Sequence, residues 1–308
     1  MIPKIAHLYW GQDDLPFLRF LTVWTLANLN PDWRIVLHEP VKLGGVLDRT
    51  WDTPEHKGVR RSARSYRAYL TKIPNLEIRV HEDSKFPRGL SHVHRSDLLR
   101  WELLATEGGI WSDMDILWSR PLDQVPEIRT HEAFVCAWQQ GTALVHSIGF
   151  LGSAPDTQPY ARAWKIARAH ASEAAGAHYQ ALGNQLLAQA FPPELETSPG
   201  VANLSRHVVY PYTWLTIREW IASAKEVSFR PETVGVHWFA GDAIATHYAM
   251  ERVHEDFADP GRPSGLFASV RHALECHPLP VLSASGSGIL TPRPVPLSSP
   301  RDDGRDAS

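Results

Sequence analysis

Cysteine is scarce in this sequence, with two residues, Cys136 and Cys276, among 308. Two cysteines so far apart form neither a disulfide framework nor a cysteine-rich zinc site. Long apolar runs are also missing, since no stretch reaches the roughly 18 residues of a membrane-spanning helix. The first residues lack the charged-then-apolar pattern of a secretion signal. Together these absences predict a soluble, cytoplasmic protein without a transmembrane segment.

An excess of charge of one sign is absent as well. Lysine and arginine number 31 and aspartate and glutamate 34, which gives a formal net charge of -3. This near balance argues against extensive coating of nucleic acid but does not exclude a local basic patch. One basic run occurs over residues 57–72, with Tyr66, Tyr69 and Leu70 interleaved. It is interpreted either as a solvated helix face or as a contact surface for an anionic acceptor or a membrane.

What the sequence does contain is an organised central stretch, residues 96–122. Apolar residues at the three-to-four spacing of a helix face fill its first half. Gly108 and Gly109 follow, and glycine just past the last turn can adopt the left-handed conformation that ends a helix. Ile110 and Trp111 then suit a short buried strand. A helix, a glycine stop and a strand are therefore predicted in immediate succession.

Two aspartates, Asp113 and Asp115, follow this strand. Side chains two positions apart point to the same side of an extended chain, so the two carboxylates repel unless a cation or hydrogen-bond donors lie between them. Mg2+ and Mn2+ prefer such oxygen ligands, and open α/β sheets bind ligands at the carboxyl ends of their strands. A bare Asp-x-Asp is most often a solvated turn, so its interpretation depends on the longer string around it.

That string begins with Ser-Asp-Leu-Leu-Arg at residue 96 and, after the helix, ends with Gly-Gly-Ile-Trp-x-Asp-x-Asp. It resembles the core of retaining glycosyltransferases with the DXD sugar-binding motif. Yeast mannosyltransferases, capsule-synthesis enzymes and the glucosylating domains of large clostridial toxins share this core. The resemblance spans roughly residues 2–242; it is specific in 96–122, fair in 2–11 and loose elsewhere. It implies a GT-A-like α/β fold with a mainly parallel mixed sheet flanked by helices.

The resemblance also implies which residues bind a nucleotide-sugar donor. Trp10, at the end of a buried first strand, matches an aromatic residue that commonly stacks on the uracil, although a core tryptophan would suit this position equally. Gly11 beside it lets a ligand approach the backbone. Asp97 and Arg100 lie three apart and hence on one helix face. They match an aspartate and an arginine that contact the ribose, sugar or phosphates of the donor; the alternative is a surface ion pair of little energetic value.

The predicted cofactor is Mn2+ or Mg2+, held by Asp113, Asp115 and His237. Two aspartates leave a six-coordinate ion short of protein ligands, and His237 lies in a segment similar to the histidine-containing end of such enzymes. The alternative is a histidine that caps a buried strand. Trp111 and Asp113, both within the motif, are also assigned to the donor site. Catalysis is assigned to Asp113, Asp115 and Arg100, because the reaction must stabilise negative charge on a departing diphosphate.

The predicted reaction transfers a hexose from a UDP- or GDP-activated donor to a hydroxyl, and the resemblance implies retention of configuration. No residue stands out as a glycosyl nucleophile. A same-face attack, in which the departing phosphate accepts the proton of the acceptor, is therefore the simpler hypothesis. The acceptor stays open among glycan, lipid, protein and nucleic acid, and peripheral contact with a membrane is an expectation from the basic run.

Two other functions compete with this prediction. Haloacid-dehalogenase-like phosphatases also carry Asp-x-Asp after an apolar strand, with the first aspartate as the nucleophile. Their motif normally continues with threonine or valine where this chain has Leu117, and it lies close to the N-terminus. The second alternative is a sugar- or nucleotide-binding protein without turnover, which would have no need of the intact aspartate pair.

Around this centre the sequence predicts one domain over residues 1–277 and a disordered, proline- and serine-rich tail over 278–308. The remaining elements follow from apolar periodicity. Helices are predicted at 16–29, 156–172 and 178–190, and strands at 34–38, 76–80, 133–138, 147–151, 208–212 and 233–236.

Overall fold

The computed structural model describes residues 1–41, 64–174, 177–191, 200–223, 228–257, 261 and 264–282. The strands in this part of the chain are β1 (Ile5–Tyr9), β2 (Arg34–Pro40), β3 (Leu76–His81), β4 (Gly109–Ser112), β5 (Ile116–Trp118), β6 (Ala133–Gln140), β7 (Ala143–Ser153), β8 (Val201–Asn203) and β9 (Gly235–His237). Seven of them form one sheet in the order β3-β2-β1-β4-β7-β6-β8, and β5 pairs with β9 in a second sheet.

The large sheet is mixed but mainly parallel. Strands β3, β2, β1 and β4 run parallel to one another, and β6 runs parallel to β8. The long strand β7 is antiparallel to both of its neighbours, β4 and β6. The predicted α/β architecture is therefore confirmed. Because β1 and β4 are parallel neighbours, their carboxyl ends lie side by side, and the two aspartates follow directly after β4.

Helices flank the sheet. They are α1 (Phe17–Leu29), α2 (His92–Thr106), α3 (Glu127–Thr130), α4 (Gln158–His170), α5 (Asn184–Ala190), α6 (Ile217–Ala222), α7 (Ala243–Glu251), α8 (His254–Phe257) and α9 (Gly265–Cys276). Neighbouring residues of one strand belong to different hydrophobic clusters, as Leu8 and Tyr9 of β1 do. Because successive strand residues point to opposite faces, one cluster lies on each face of the sheet.

The central helix α2 begins and ends as its sequence dictates. Ser91 caps its first turn by accepting a hydrogen bond from the backbone N–H of His94 at 3.2 Å. Gly108 and Gly109 follow its last turn with φ angles of 67° and 99°, the left-handed region that favours glycine. A Cβ on Gly109 would lie 2.5 Å from the Ile5 carbonyl oxygen, so glycine also permits the close approach of β4 to β1.

One predicted element is wrong and another is shorter than predicted. Residues 208–212 do not form a strand: 206–208 are a single 3-10 turn, and the Tyr210 N–H bonds back to the Arg206 carbonyl at 2.6 Å. That turn uses the backbone groups a strand would need, and Pro211 has no N–H to donate. The helix predicted at 178–190 is shorter, because residues before Asn184 form turns.

The ends of other predicted segments lie outside the described residues. This applies to 57–63 of the basic run and to 283–308 of the predicted tail. Leu279 and Leu282, near the end of the described residues, pack against the core, whereas Val281 between them is exposed. Within the described part of the chain, no helix is long and apolar enough to cross a membrane.

Candidate active site

A cavity of about 500 Å3 opens beside the strand that carries the aspartates. Its walls come from the loop after β1, from α2, from the Asp-x-Asp segment, from β7 and from the segment after β9. Most of the predicted site residues line it together: Trp10, Asp97, Arg100, Trp111, Asp113, Asp115 and His237. The predicted residue outside this lining is Gly11.

The three predicted metal ligands converge in this cavity. One ligand atom from each of Asp113, Asp115 and His237 lies within 4.8 Å of the other two. His237 Nε2 is 3.2 Å from Asp115 Oδ1 and 3.9 Å from Asp113 Oδ2. The small sheet explains why residues so distant in sequence meet, because Ile116 of β5 pairs with His237 of β9.

Asp115 is held by the segment that follows β9. Its Oδ2 accepts a hydrogen bond from the Ala240 N–H at 2.9 Å, and its carbonyl oxygen accepts one from the Trp238 N–H at 2.8 Å. Oδ1 is left for His237. The Phe239 N–H donates to His237 Nδ1 at 3.3 Å, so the proton of the neutral imidazole is on Nε2 and points to this carboxylate. An ion bound at Nε2 would take the place of that proton.

Asp113 is fixed by charge and by hydrogen bonds. Its Oδ1 accepts from Arg100 Nη2 at 3.0 Å and from Trp111 Nε1 at 2.8 Å, which leaves Oδ2 toward His237. Burial by itself would raise the pKa of Asp113, but Arg100 and His237 hold it well below its ordinary value. The carboxylate is therefore ionised at neutral pH, as a metal ligand must be. The role of Trp111 in this arrangement is to orient Asp113.

Sequence reasoning missed two residues of this cluster, Gly149 and Tyr210. An ideal Cβ on Gly149 would lie 2.9 Å from Asp113 Oδ2, 2.9 Å from Tyr210 Oη and 3.0 Å from His237 Nε2. The absent side chain thus leaves a small space lined by oxygen and nitrogen atoms. Two carboxylates and one imidazole suit a divalent ion, and the imidazole favours Mn2+ over Mg2+. The donor set fits the predicted metal.

The hydroxyl of Tyr210 is buried at the same point. It has no hydrogen bond of ordinary geometry, although Ser147 lies near enough to influence it. Burial raises the pKa of Tyr210 well above its ordinary value, so the phenol stays neutral. A buried hydroxyl without a partner is costly unless a ligand completes its hydrogen bonding.

Asp97 and Arg100 form a buried pair, and the alternative of a surface ion pair is wrong. Arg100 Nη1 is 2.6 Å from Asp97 Oδ1, and both side chains are 3% exposed. Burial raises the pKa of Asp97 to about 6, while Arg100 opposes that shift. Asp97 Oδ2 and Arg100 Nε are buried without a partner, as is Asn184 Oδ1. All three residues line the cavity, so these unpaired atoms lie next to the space that a ligand would occupy.

Trp10 lines the cavity, but little of its ring is open. The side chain is 3% exposed, and its Nε1 donates to the Asp14 carbonyl at 2.9 Å. The Arg19 guanidinium lies over this ring at 5.2 Å and over the Trp238 ring at 4.9 Å. A base could stack on this ring only if the wall moved. Gly11 has another neighbour: a Cβ there would overlap the ring of His92.

The described end of the basic run supports the cavity wall from behind. Arg67 donates from Nη2 to the Gln12 carbonyl at 2.8 Å and from Nε to the Asp13 carbonyl at 3.1 Å, and it forms an ion pair with Glu39. Gln12 and Asp13 line the cavity. Arg67 lies in a 3-10 helix, 67–72, rather than on an α-helix. Because its guanidinium is used internally, neither interpretation of the run describes this residue.

One protein family matches the chain by sequence. The family is described as "Capsular polysaccharide synthesis protein", and the match covers residues 54–147, about a third of the chain. The matched part includes α2, β4 and both aspartates. A search of curated proteins found no significant match.

Several solved structures are distantly similar. The PaToxG glycosyltransferase is 15% identical over 63% of this chain and 70% of that one, with a TM-score of 0.42. An active-site mutant of LgtC is 12% identical over 91% and 98%, with a TM-score of 0.46. The glycosyltransferase GlyE of Streptococcus pneumoniae TIGR4 is 11% identical over 88% of this chain and 60% of that one, with a TM-score of 0.48.

The sequence match confirms the resemblance that the central stretch predicted, over the part of the chain that carries the motif. The mixed sheet, with paired aspartates at the end of a parallel strand, has the predicted architecture. The chain is accordingly an α/β protein whose residues 54–147 are similar to the capsular polysaccharide synthesis proteins.

Proposed function

We propose that this protein is a glycosyltransferase that moves a hexose from a UDP- or GDP-activated donor to an acceptor hydroxyl, with a divalent ion at Asp113, Asp115 and His237. The observation that carries the proposal is the convergence of these three ligands within 4.8 Å, inside the cavity that also contains the buried Asp97–Arg100 pair. Paired carboxylates with an imidazole serve metal binding, and the unpaired atoms beside them serve a polar ligand.

Each residue has a definite task in this reaction. When bound, the ion supplies electrophilic stabilisation of the diphosphate. Asp115 is oriented by the Ala240 N–H, and Asp113 is kept ionised by Arg100. Arg100 also brings a buried positive charge close to the place where negative charge develops on the leaving group. Asp97 Oδ2 and Asn184 Oδ1 accept hydrogen bonds from hydroxyls of the donor sugar.

The attack takes place on the face from which the diphosphate leaves. A bond forms between the acceptor oxygen and the anomeric carbon, the bond from that carbon to the diphosphate oxygen breaks, and this oxygen takes the proton of the acceptor. The resemblance supports retention, and the buried Asp97 is engaged by Arg100 instead of being free to attack the sugar. The family match favours neither the phosphatase nor the binding protein without turnover.

The decisive experiment measures release of UDP or GDP from a panel of nucleotide hexoses. Wild type, Asp113→Asn and Asp115→Asn are compared with Mn2+, with Mg2+ and with a chelator. Asp83→Asn is the control, because Asp83 lies near the surface in an ion pair with Arg95. We expect metal-dependent release that both site variants lower by at least about 100-fold, with similar melting temperatures. Release of phosphate from simple esters would indicate the phosphatase, and donor binding without release the binding protein.

A further inference from the structure

Two aromatic side chains at the cavity are exposed to solvent. Among the described phenylalanine, tyrosine and tryptophan residues, Tyr179 and Trp214 are the most exposed, at 47% and 44%. Both line the cavity that contains the candidate metal ligands. The other tryptophans of the described part are buried or half-buried, so apolar ring surface is left open to water at this cavity in particular.

Trp214 is the outer end of a row of aromatic rings that starts at the candidate metal site. His237 lies 5.1 Å from Tyr210 between ring centroids, Tyr210 lies 5.5 Å from Trp138, and Trp138 lies 6.4 Å from Trp214. Tyr210 is buried and Trp138 is half-buried. The row thus connects the candidate metal site to the exposed Trp214 ring through packed aromatic side chains.

The exposed rings sit on ordered turns. The turn that carries Trp214 is closed by the Ile217 N–H, which donates to the Thr213 carbonyl at 2.9 Å, and by the Thr213 N–H, which donates to Thr216 Oγ1 at 3.0 Å. Tyr179 lies in the turns before α5, where its hydroxyl accepts from Gln180 Nε2 at 3.0 Å. The rings are therefore held in place before any ligand binds, which lowers the entropy cost of binding.

The chemistry of these surroundings selects a neutral ligand with an apolar face and a polar edge. The segments that carry the two rings, 177–182 and 210–217, contain no lysine or arginine. The arginines next to the Trp214 segment are already engaged, because Arg206 donates to the Tyr210 and Pro211 carbonyls and Arg218 donates to Asp242, so they offer little charge to a phosphorylated lipid or an acidic chain. Gln180 lines the cavity beside Tyr179 and offers an amide group for hydroxyls. A pyranose ring, with C–H groups on its face and hydroxyls at its edge, matches aromatic platforms flanked by an amide.

The position of the rings distinguishes the acceptor from the donor nucleotide. Nucleotides bind outside the carboxyl ends of parallel strands, and the parallel half of this sheet is β3-β2-β1-β4. Trp214 reaches the cavity from the antiparallel half instead, because its neighbour Trp138 lies on β6 and pairs with Val145 of β7. The metal ligands lie between the two halves.

We infer that Trp214 and Tyr179 form an acceptor subsite, in which the rings stack on a sugar unit of a neutral saccharide. This inference rests on the proposed function and narrows its acceptor to a glycan. The acceptor subsite argues against lipid phosphates, proteins and nucleic acids as acceptors.

The test compares transfer with hydrolysis. A labelled nucleotide hexose that the wild type hydrolyses is offered to neutral oligosaccharides and nitrophenyl glycosides, to a lipid-phosphate vesicle and to an unglycosylated protein. The variants are Trp214→Ala, Trp214→Phe and Tyr179→Ala. Leu215→Ala is the matched control, since Leu215 is the next residue on the same turn and is 68% exposed. Melting temperatures verify that each variant folds.

We expect label on a neutral saccharide, and a ratio of transfer to hydrolysis that falls about tenfold in Trp214→Ala and Tyr179→Ala. Trp214→Phe should restore most of the loss, and Leu215→Ala should match wild type. Hydrolysis by wild type with label on lipid or protein alone, or with no transfer, would overturn the acceptor subsite but keep the proposed function. A higher Kd for UDP or GDP in Trp214→Ala would place the Trp214 ring in the donor site and would also overturn the acceptor subsite. No hydrolysis and no transfer would overturn both proposals.

Discussion

Two regions of this molecule contain buried histidines, and the two regions differ in how the hydrogen bonds of these histidines are satisfied. In the histidine row, His7, His38 and His81 cross three adjacent strands. His7 Nε2 lies 3.0 Å from the Gly108 carbonyl, His7 Nδ1 lies 3.0 Å from His38 Nε2, and His38 Nδ1 lies 2.8 Å from His81 Nε2. In the candidate active site, the His237 ring lies next to the carboxylates of Asp113 and Asp115.

The histidine row satisfies its own hydrogen bonds. The Gly108 carbonyl can only accept, so His7 carries its proton on Nε2, and the same order follows for His38 and His81. Burial lowers the pKa of His7 and that of His81 to about 4, so the rings are neutral at physiological pH. The candidate active site instead contains buried atoms without partners, such as Asp97 Oδ2 and Tyr210 Oη. Unused hydrogen-bonding capacity beside a cavity, rather than burial of ionisable groups, is what distinguishes a site.

The largest effect is expected where the cavity has least space. Gly149→Ala places a methyl group 2.9 Å from Asp113 Oδ2 and 2.9 Å from Tyr210 Oη, so these atoms must move apart. We expect turnover to fall by at least about 100-fold, because an ångström of misplacement can cost that much. The measurement is kcat for nucleotide release at saturating Mn2+.

Gly241→Ala is the companion variant, since nothing lies within 4 Å of a Cβ at that position. Its turnover should stay within about twofold of wild type. If Gly149→Ala kept wild-type turnover, the space above Gly149 would not belong to the site. The contrast between the satisfied hydrogen bonds of the histidine row and the unpaired atoms of the candidate active site would then not explain function.

Local sequence pattern placed Asp113 and Asp115 together in the candidate site, whereas Gly149, which reaches it through pairing between distant segments, was not predicted. Asp113 and Asp115 follow a glycine-stopped helix and a strand, all within one stretch, so the sequence contains the whole arrangement. Gly149 reaches it through β7, where its carbonyl accepts the Asp113 N–H at 2.8 Å. A glycine between apolar strand residues does indicate a close approach, but it does not say to what.

The fold, too, was predictable where the local sequence pattern is clear and not where an element depends on distant contacts. Strands and helices with clear apolar periodicity were found within a few residues, as with the helix predicted at 16–29 and observed at Phe17–Leu29. The segment 208–212 was misassigned because Tyr210 and its neighbours are apolar for packing rather than for sheet pairing. The role of Arg67 could not be predicted, since its carbonyl partners belong to a loop 54 and 55 residues earlier.

The next effect concerns His237, the ligand contributed by the second sheet. His237→Ala should raise the Mn2+ concentration for half-maximal activity about tenfold, the lower end for a disturbed metal shell. The stabilisation of the fold by added Mn2+, read as a shift in melting temperature, should shrink in parallel. His131→Ala is the control, because His131 is less buried than His237 and its Nδ1 contacts the neighbouring Thr130 hydroxyl at 2.9 Å. An unchanged Mn2+ requirement with a lower melting temperature would place His237 with the structural histidines.

A smaller effect is expected at Trp10. Trp10→Leu removes the aromatic face but keeps apolar volume, and because the ring is 3% exposed we expect the lower end of base stacking, roughly 1 kcal/mol or fivefold in Kd for UDP or GDP. Trp24→Leu is a close match, since Trp24 is 6% exposed and its Nε1 also donates to a carbonyl at 2.9 Å. Equal Kd values in the two variants, with equal losses of stability, would make Trp10 a core residue.

The smallest effect on turnover is expected from the histidine row, whose effect is on stability. A histidine with a lowered pKa in the folded state binds fewer protons than in the unfolded chain between the two pKa values. The contribution of neutral His7 to the stability of the fold is complete above pH 6.5 and is lost as the pH falls toward about 4. At about 1.4 kcal/mol per pKa unit, His7 should cost the fold roughly 3 kcal/mol at pH 4. Urea unfolding of the whole chain from pH 7.5 to 4 measures this loss.

The variant His7→Gln separates the two regions. It removes one titrating ring, so its unfolding free energy should be lower at pH 7.5 but fall less steeply between pH 6.5 and 4 than that of wild type. His170→Gln, on the exposed end of α4, should keep the wild-type slope. Turnover of folded His7→Gln at pH 7.5 should stay within about twofold, because the row has no unpaired atom to offer a ligand. A tenfold loss of turnover at unchanged melting temperature would instead connect the histidine row to the chemistry. Satisfied and unsatisfied hydrogen bonds would then no longer distinguish the histidine row from the candidate active site.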